Sequence, residues 1–307
     1  MADQVVHAGK FKRVHVIINP ASGQDAPVLN VLNRVFKDTG IEWDVSITKA
    51  AGDARRLAQQ AVTNGAEVVA VYGGDGSVAE AASGLIGAAI PLAILPGGTG
   101  NVTAAGLGIP RNLTEACALL CTAAVGIRPI DMGQVGERYF LLRVSVGLEA
   151  DVVEGADREL KDRFGPLAYM LSALQALSNP QLARYQLTLD GREVETAGLV
   201  CMIANSGYLG RVGVSLAPGI DVSDGLLDVV IIARSDLGAL LSLLASAMAG
   251  NENAEALQHW QAREISVVAD PPQTVQADGE IIGKSPVQAQ ILPGAIRVVL
   301  PEFAAEA

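Results

Sequence analysis

Two short apolar runs, residues 68–72 and 91–95, lead into glycine-rich loops, Gly73-Gly74-Asp75-Gly76 and Gly97-Gly98-Thr99-Gly100-Asn101. A strand that ends in such a loop and continues as a helix, here from about Ser77, lets backbone amides approach an anion closely. The helix N-terminus adds its partial positive charge. This is phosphate-binding geometry. Two glycine loops at the same edge of a parallel sheet face one another across the crevice where such folds hold ligands, so the pair constrains the chain far more than either loop alone. A third loop, Asn19-Pro20-Ala21-Ser22-Gly23, leaves the first strand toward that edge.

The surrounding sequence supports the same architecture. Strands are expected at 14–18, 43–48, 68–72 and 91–95, and helices at 28–39, 53–64, 77–86 and 112–125, the last with Asn112 as its N-cap. That alternation marks a parallel sheet covered by helices. Over 129–300 the rhythm changes to alternating strands with tight turns, interrupted by helices near 165–177 and 237–248, which reads as a mostly antiparallel sandwich. The expected class is therefore α/β: a Rossmann-like parallel-sheet domain over 1–128, a β-rich domain over 129–300, and a tail, 301–307, that can return to the first domain. Two domains suit 307 residues, since single cores stop growing near about 250 residues.

Lys and Arg number 22 against 33 Asp and Glu, so the net charge is 22 − 33 = −11, which offers nothing to the phosphate backbone of nucleic acid. No nucleic-acid partner is expected. Three cysteines, Cys117, Cys121 and Cys201, with no charged and apolar leader ahead of them, point to a reduced, cytoplasmic chain. Residues 81–110 carry no charge, but prolines and glycines cut the run far below the roughly 20 apolar residues a bilayer span needs. Residues 237–250 are likewise too short, so no transmembrane segment is expected.

Two familiar motifs fail on context. Gly74-Asp75-Gly76-Ser77-Val78-Ala79 fits the dinucleotide fingerprint, yet no Asp or Glu occurs between Glu80 and Glu115 to hold a ribose. The run Gly279-Glu280-Ile281-Ile282-Gly283-Lys284-Ser285 has one residue too few for a P-loop and leads into a strand-like stretch rather than a helix.

The acidic residues of the second half divide differently. Asp190-Gly191, Asp224-Gly225 and Asp278-Gly279 all suit hairpin turns, and Asp190 is read as that alone. Asp221, Asp224 and Asp228 crowd three carboxylates into eight residues, enough oxygen, with backbone carbonyls, for a hard cation such as Mg²⁺. Glu280 leaves its turn at a position from which a carboxylate can serve a hydroxyl as general base. His7, His15 and His259 fit no metal spacing, and Cys117 and Cys121 read as small core residues. Arg158, Lys161 and Arg163 ahead of Phe164, Leu167, Tyr169 and Met170 form a candidate membrane-docking helix or an ordinary amphipathic one.

Taken in order, HVIINPASG (15–23), TKAAGDA (48–54), VYGGDGSVAEA (71–81), LPGGTGNVTA (95–104), DGLLD (224–228) and DGE (278–280) resemble the diacylglycerol kinase catalytic-domain family, which includes bacterial lipid kinases and is related to sphingosine and ceramide kinases. The resemblance implies an ATP-dependent, Mg²⁺-requiring kinase of a lipid hydroxyl, with an NAD-kinase-like nucleotide domain followed by a lipid-binding one. By similarity Gly73, Gly74, Asp75, Gly76, Ser77, Val78 and Ala79 wrap the phosphates, and Thr48 and Thr99 make further nucleotide contacts. Asn19 borders the nucleotide, and Gly97, Gly98 and Asn101 complete the second loop. The resemblance further implies a metal held by the Asp224 carboxylate and the backbone carbonyls of Asp221 and Leu226. Glu280 is implied as the base, although sphingosine-type members assign that role to the aspartate matching Asp75, and both stay open.

One departure is Val102, where many members carry an aspartate after Asn101. It leaves open a non-catalytic nucleotide or lipid sensor as an alternative, and the Gly73-Gly74-Asp75-Gly76 loop, of a kind that NAD kinases and phosphofructokinases share, leaves open a kinase of a soluble substrate. The implied partners are a lipid at the inner membrane surface, met peripherally from the cytoplasm, and optionally a second copy of the chain.

Overall fold

The computed structural model describes residues 6–7, 11–23, 26–122, 125–147, 182–208, 216–217, 219–233 and 258–301. The helices expected near 165–177 and 237–248 and the basic patch at 158–163 lie outside the described residues. The chain divides into two compact units, one holding residues up to 130 together with those from 294, the other holding 131–293.

In the first unit β2 (Arg13–Ile18), β3 (Glu42–Ile47), β4 (Val68–Gly73) and β5 (Leu92–Pro96) pair in parallel in the order β5-β4-β2-β3. β4 and β5 are buried along their whole length, as expected of parallel strands covered on both faces. The end of β17 (Val287–Pro301) extends this sheet, with Val298 beside Leu92. α1 (Val28–Phe36) buries Val28, Val31, Leu32 and Phe36, one face of its turns. It stops short of the expected 39 because Asp38 takes a left-handed conformation, φ 60°, and Thr39 Oγ1 donates to Phe36 O at 2.6 Å. α2 (Asp53–Thr63) and α3 (Asp75–Gly84) follow β3 and β4.

One local expectation is corrected and one element is added. The stretch 112–125 is not one helix: α5 (Leu113–Ala118), capped by the Asn112 side chain on the Thr114 and Glu115 amides, gives way to a 3₁₀ turn, and Val125 begins β6 (Val125–Val135). The β-branched run after residue 124 prefers the sheet. A short helix, α4 (Val102–Gly106), also follows the second glycine loop, where alternating small residues gave no helical period.

The second unit is antiparallel. β9 (Ala183–Leu189) and β10 (Arg192–Gly198) form a hairpin, β9 pairs with β14 (Glu264–Asp270), and β14 pairs with the start of β17. A second sheet runs β13 (Gln258–Ala262), β12 (Leu227–Ile232), β11 (Val200–Ala204), β8 (Arg143–Val146), β15 (Thr274–Ala277), β16 (Glu280–Lys284). Two short strands pair with β6, β1 (Val6–His7) near its start and β7 (Arg138–Phe140) near its end. One apolar core joins the two sheets, with Phe140, Tyr185, Leu187, Ile203, Val229 and Val267 among its members. In β9 the side chains alternate strictly between buried and exposed. Among the described residues no helix is long and apolar enough to cross a membrane.

Candidate functional site

The first unit gathers its candidate residues at the C-terminal ends of β2, β3, β4 and β5. Asn19 follows β2, its amide bonded to Tyr72 O at 2.9 Å, and its Nδ2 donates to Ser77 Oγ at 2.8 Å. Thr48 follows β3, its amide bonded to Ile18 O at 3.0 Å. Gly73 has no room for a side chain, since a Cβ there would lie 2.6 Å from Ser77 Cβ, and a Cβ on Gly98 would lie 2.6 Å from Gly74 Cα. The two glycine loops therefore touch backbone to backbone, a spacing only glycine permits.

Asp75 fastens that contact. Its Oδ2 accepts the Val102 amide at 3.0 Å and its Oδ1 the Thr103 amide at 2.8 Å, so the carboxylate sits on the first amides of α4. Asn101, at φ 48°, closes the second loop on itself: its Oδ1 accepts the Gly98 amide at 2.9 Å and its Nδ2 donates to Gly98 O at 2.6 Å. Thr99 is exposed at the loop tip. Val78 and Ala79 turn into the core, at 2% and 8% exposure, so their side chains pack α3 and only their backbone is open to a ligand. The N-cap of α3 is Gly74, and among the described residues no side chain caps that terminus. Its amides and partial positive charge are left for an anion.

The second unit holds Asp221, Asp224 and Leu226 on one loop before β12. Asp221 Oδ1 accepts the Ser223 amide and hydroxyl at 3.0 and 2.8 Å, and Asp224 Oδ1 accepts the Leu226 amide at 2.9 Å. Partial burial raises the Asp224 carboxyl above its ordinary value, and the negative charges of Asp228, Asp221 and Asp131 raise it further against the pull of the Leu226 amide. Crowded carboxylate charge and hard oxygen donors suit Mg²⁺. Among the described residues no three His, Cys, Asp or Glu side chains converge on a metal position, so backbone carbonyls must complete any shell, as the Asp221 and Leu226 assignment requires.

Glu280 opens β16 as an exposed residue, its Oε2 3.0 Å from Arg138 Nη1. It follows the Asp278-Gly279 turn, and Asp278 has a second role that turn chemistry alone did not predict. Its carboxylate accepts the amides of Leu141, Leu142 and Arg143 at 2.8, 3.0 and 2.9 Å. Asp190, at the other hairpin, does the same more simply, its Oδ1 accepting the Arg263 and Glu264 amides at 2.9 and 2.8 Å. Both aspartates have positive φ, 46° at Asp278 and 49° at Asp190. Asp224-Gly225 is not a hairpin but part of the acidic loop.

Two residues, Asp131 and Asn205, escaped the sequence reading, and Asp228, which the sequence grouped with Asp221 and Asp224, is held by a different partner. Asp131, at 2% exposure, accepts the Gly225 amide at 2.7 Å; a lone acid inside an apolar strand is its only signal. Asp228 is fully buried and lies 2.5 Å from His259 Nε2 on the neighbouring strand, a pairing set by register rather than spacing. Asn205 lies buried at the end of β11. Cys117 and Cys201 are buried thiols pushed up to about 12 by loss of solvent, as core residues should be.

Residues 13–135 match the diacylglycerol kinase catalytic domain, and 142–300 match the YegS C-terminal NAD kinase beta sandwich-like domain. The chain is 31% identical over 310 residues to an uncharacterized protein of Synechocystis sp., covering 95% of this chain and 71% of that one. It is 28% identical over 303 residues to a protein of Bacillus subtilis named diacylglycerol kinase, covering 96% and 99%. A crystal structure described as a diacylglycerol kinase from Bacillus anthracis superposes with a TM-score of 0.81 at 28% identity, covering 95% of this chain and 98% of that one.

Proposed function

Because the chain belongs to the diacylglycerol kinase catalytic-domain family, we propose that it transfers the γ-phosphate of ATP to the hydroxyl of a lipid, diacylglycerol-like or sphingoid-like, with Mg²⁺. The observation that carries this reading is the uncapped start of α3 beside two glycine loops in backbone contact. Phosphoryl transfer asks chiefly for positioning and for neutralised phosphate charge, which amides and a helix terminus supply without a P-loop lysine.

In this reading the first amides of α3 bind phosphate oxygens, Asn19 fixes the Ser77 hydroxyl, and Thr48 and Thr99 border the nucleotide. Asp75 keeps the second loop against the first. Both of its oxygens are occupied by amides, which suits a positioning role better than proton transfer. Glu280, exposed and paired with Arg138, takes the proton of the acceptor hydroxyl. Asp224 would hold Mg²⁺ with the carbonyls of Asp221 and Leu226, and the bound cation would offset negative charge during transfer. The lipid is met at the cytoplasmic membrane surface.

The test is transfer of labelled phosphate from ATP, with Mg²⁺, to detergent-dispersed diacylglycerol, monoacylglycerol, sphingoid base and ceramide presented separately. One pool should be labelled, and Glu280→Gln should lose that labelling while still binding ATP. Folded, ATP-binding protein that labels no lipid, or a fully active Glu280→Gln, overturns the reading.

A further inference from the structure

The turn that presents Glu280 and the loop that carries Asp224 lie on different strands, yet an unbroken series of hydrogen bonds joins them. Asp278 takes three amides of the 141–143 bend into its carboxylate and returns its own amide to Arg143 O at 2.9 Å. From the other side of that bend, Leu142 O accepts the Asn205 and Ser206 amides at 2.9 and 3.0 Å. Asn205 Nδ2 donates at once to Leu141 O at 2.8 Å and to Asp131 O at 3.1 Å. Asp131 then grips the acidic loop twice, its amide donating to Val222 O at 2.7 Å and its Oδ2 accepting Gly225 N–H at 2.7 Å.

Among the described residues Asn205 is the one side chain that spans the two halves of this series. It is 1% exposed, and its Oδ1 finds no partner among the described residues. An unsatisfied buried carbonyl oxygen costs stability, so the amide is retained at a loss that only its Nδ2 contacts offset. We propose that Asn205 is a positioning residue, which holds the Glu280 turn and the Asp224 loop in one fixed arrangement. The proposal rests on the roles given above to Glu280 and Asp224. Displacement of either group by a fraction of an ångström is enough to slow a transfer that depends on alignment.

The experiment compares wild type, Asn205→Ala, Asp278→Asn and Glu280→Gln in the full chain. Lipid phosphorylation is measured as kcat and KM for ATP, and Mn²⁺ binding in the absence of nucleotide and lipid is measured by paramagnetic resonance. Asn205→Ala should lower kcat about 10- to 100-fold, leave KM for ATP within about twofold, and weaken Mn²⁺ binding about tenfold. Asp278→Asn keeps an acceptor for Leu142 and Arg143 but opposes the Leu141 amide, and should lower kcat less with Mn²⁺ binding close to wild type. A purely structural Asn205 would reduce kcat only with the folded fraction, and unchanged Mn²⁺ affinity in the folded part overturns the proposal. Should Asn205→Ala not fold, Asp278→Asn decides it: full wild-type kcat there overturns the coupling. Failure of the functional reading looks different, since wild type itself would then label no lipid or Glu280→Gln would stay active.

Discussion

Asp75 and Asp278 each seat a carboxylate on successive backbone amides, so each acts on the loop it holds before it acts on any ligand. Replacing Asp75 by Asn sets an NH₂ against one of those amides, and the lost bond should cost about 1–3 kcal/mol. Thermal denaturation and calorimetric ATP titration should therefore both register Asp75→Asn, with weaker nucleotide binding. A variant of wild-type stability and ATP affinity that had lost turnover alone would return Asp75 to the role of base. The cysteines allow a separate residue-scale check. Cys117 and Cys201 are buried, with thiols pushed up to about 12, so alkylation at mildly alkaline pH should leave both unmodified in the native protein and label them once denaturant is added. Rapid native labelling of Cys201, measured by peptide mass spectrometry, would contradict its place in the core.

At the scale of elements, the glycines of the two loops should respond in opposite ways. Gly98→Ala drives a Cβ to 2.6 Å from Gly74 Cα, and a backbone neighbour cannot swing aside. Separation of the loops should cost about 1–3 kcal/mol and reduce ATP binding with it. Gly76 lies in α3 with nothing within 4 Å of an added Cβ, so Gly76→Ala should keep or raise stability, by up to about 1 kcal/mol from helix propensity. If phosphate enters that open space, ATP affinity should fall all the same. Unchanged ATP affinity in Gly76→Ala, by the same titration, would place the phosphates elsewhere. The strands and helices of the first unit were legible because each carries a regular apolar period. α4 was not, because five small residues have no period and their helix is started by the Asp75 carboxylate from another loop. Asn19, Asp75 and Asn101 were legible as candidates, but which atoms they hold was not.

For the whole molecule, the first unit is assembled from the two ends of the chain, since β17 returns to it after residue 293. Ile296, Val298, Val299 and Leu300 are each no more than 1% exposed, and each such side chain is worth about 1.5–3 kcal/mol when buried. Their loss approaches the entire net stability of a domain, about 5–15 kcal/mol. A fragment of residues 1–130 should therefore melt far below the same fragment joined through a short linker to 294–301, as circular dichroism would show; equal melting would mean that the strand adds nothing. Stability should also narrow from both sides of the pH scale. The unfolded thiols ionise near 9 while folded Cys117 and Cys201 hold their protons to about 12, so across that window each withdraws about 1.4 kcal/mol of stability per pH unit as pH rises. Burial lowers His15, against the opposing charge of Asp44. The unfolded chain therefore binds the proton more readily below about 6.5, and stability falls as pH drops through that range. Denaturant midpoints measured across pH would show both flanks, and a Cys201→Ala midpoint with undiminished alkaline sensitivity would reassign that flank.

The amino-acid sequence by itself determined the α/β class, the change from parallel to antiparallel rhythm, the two glycine loops and the family, because periodicity, glycine placement and motif order are properties of neighbours along the chain. Only the tertiary structure decided what Asp75, Asp131, Asn205 and Asp278 do. Each of these binds backbone groups that are distant in sequence, and a hydrogen bond has a direction and a length that no spacing of letters contains. The same reason explains His259: the five residue pairs that join β12 to β13 had to be in register before its ring could meet the buried carboxylate of Asp228.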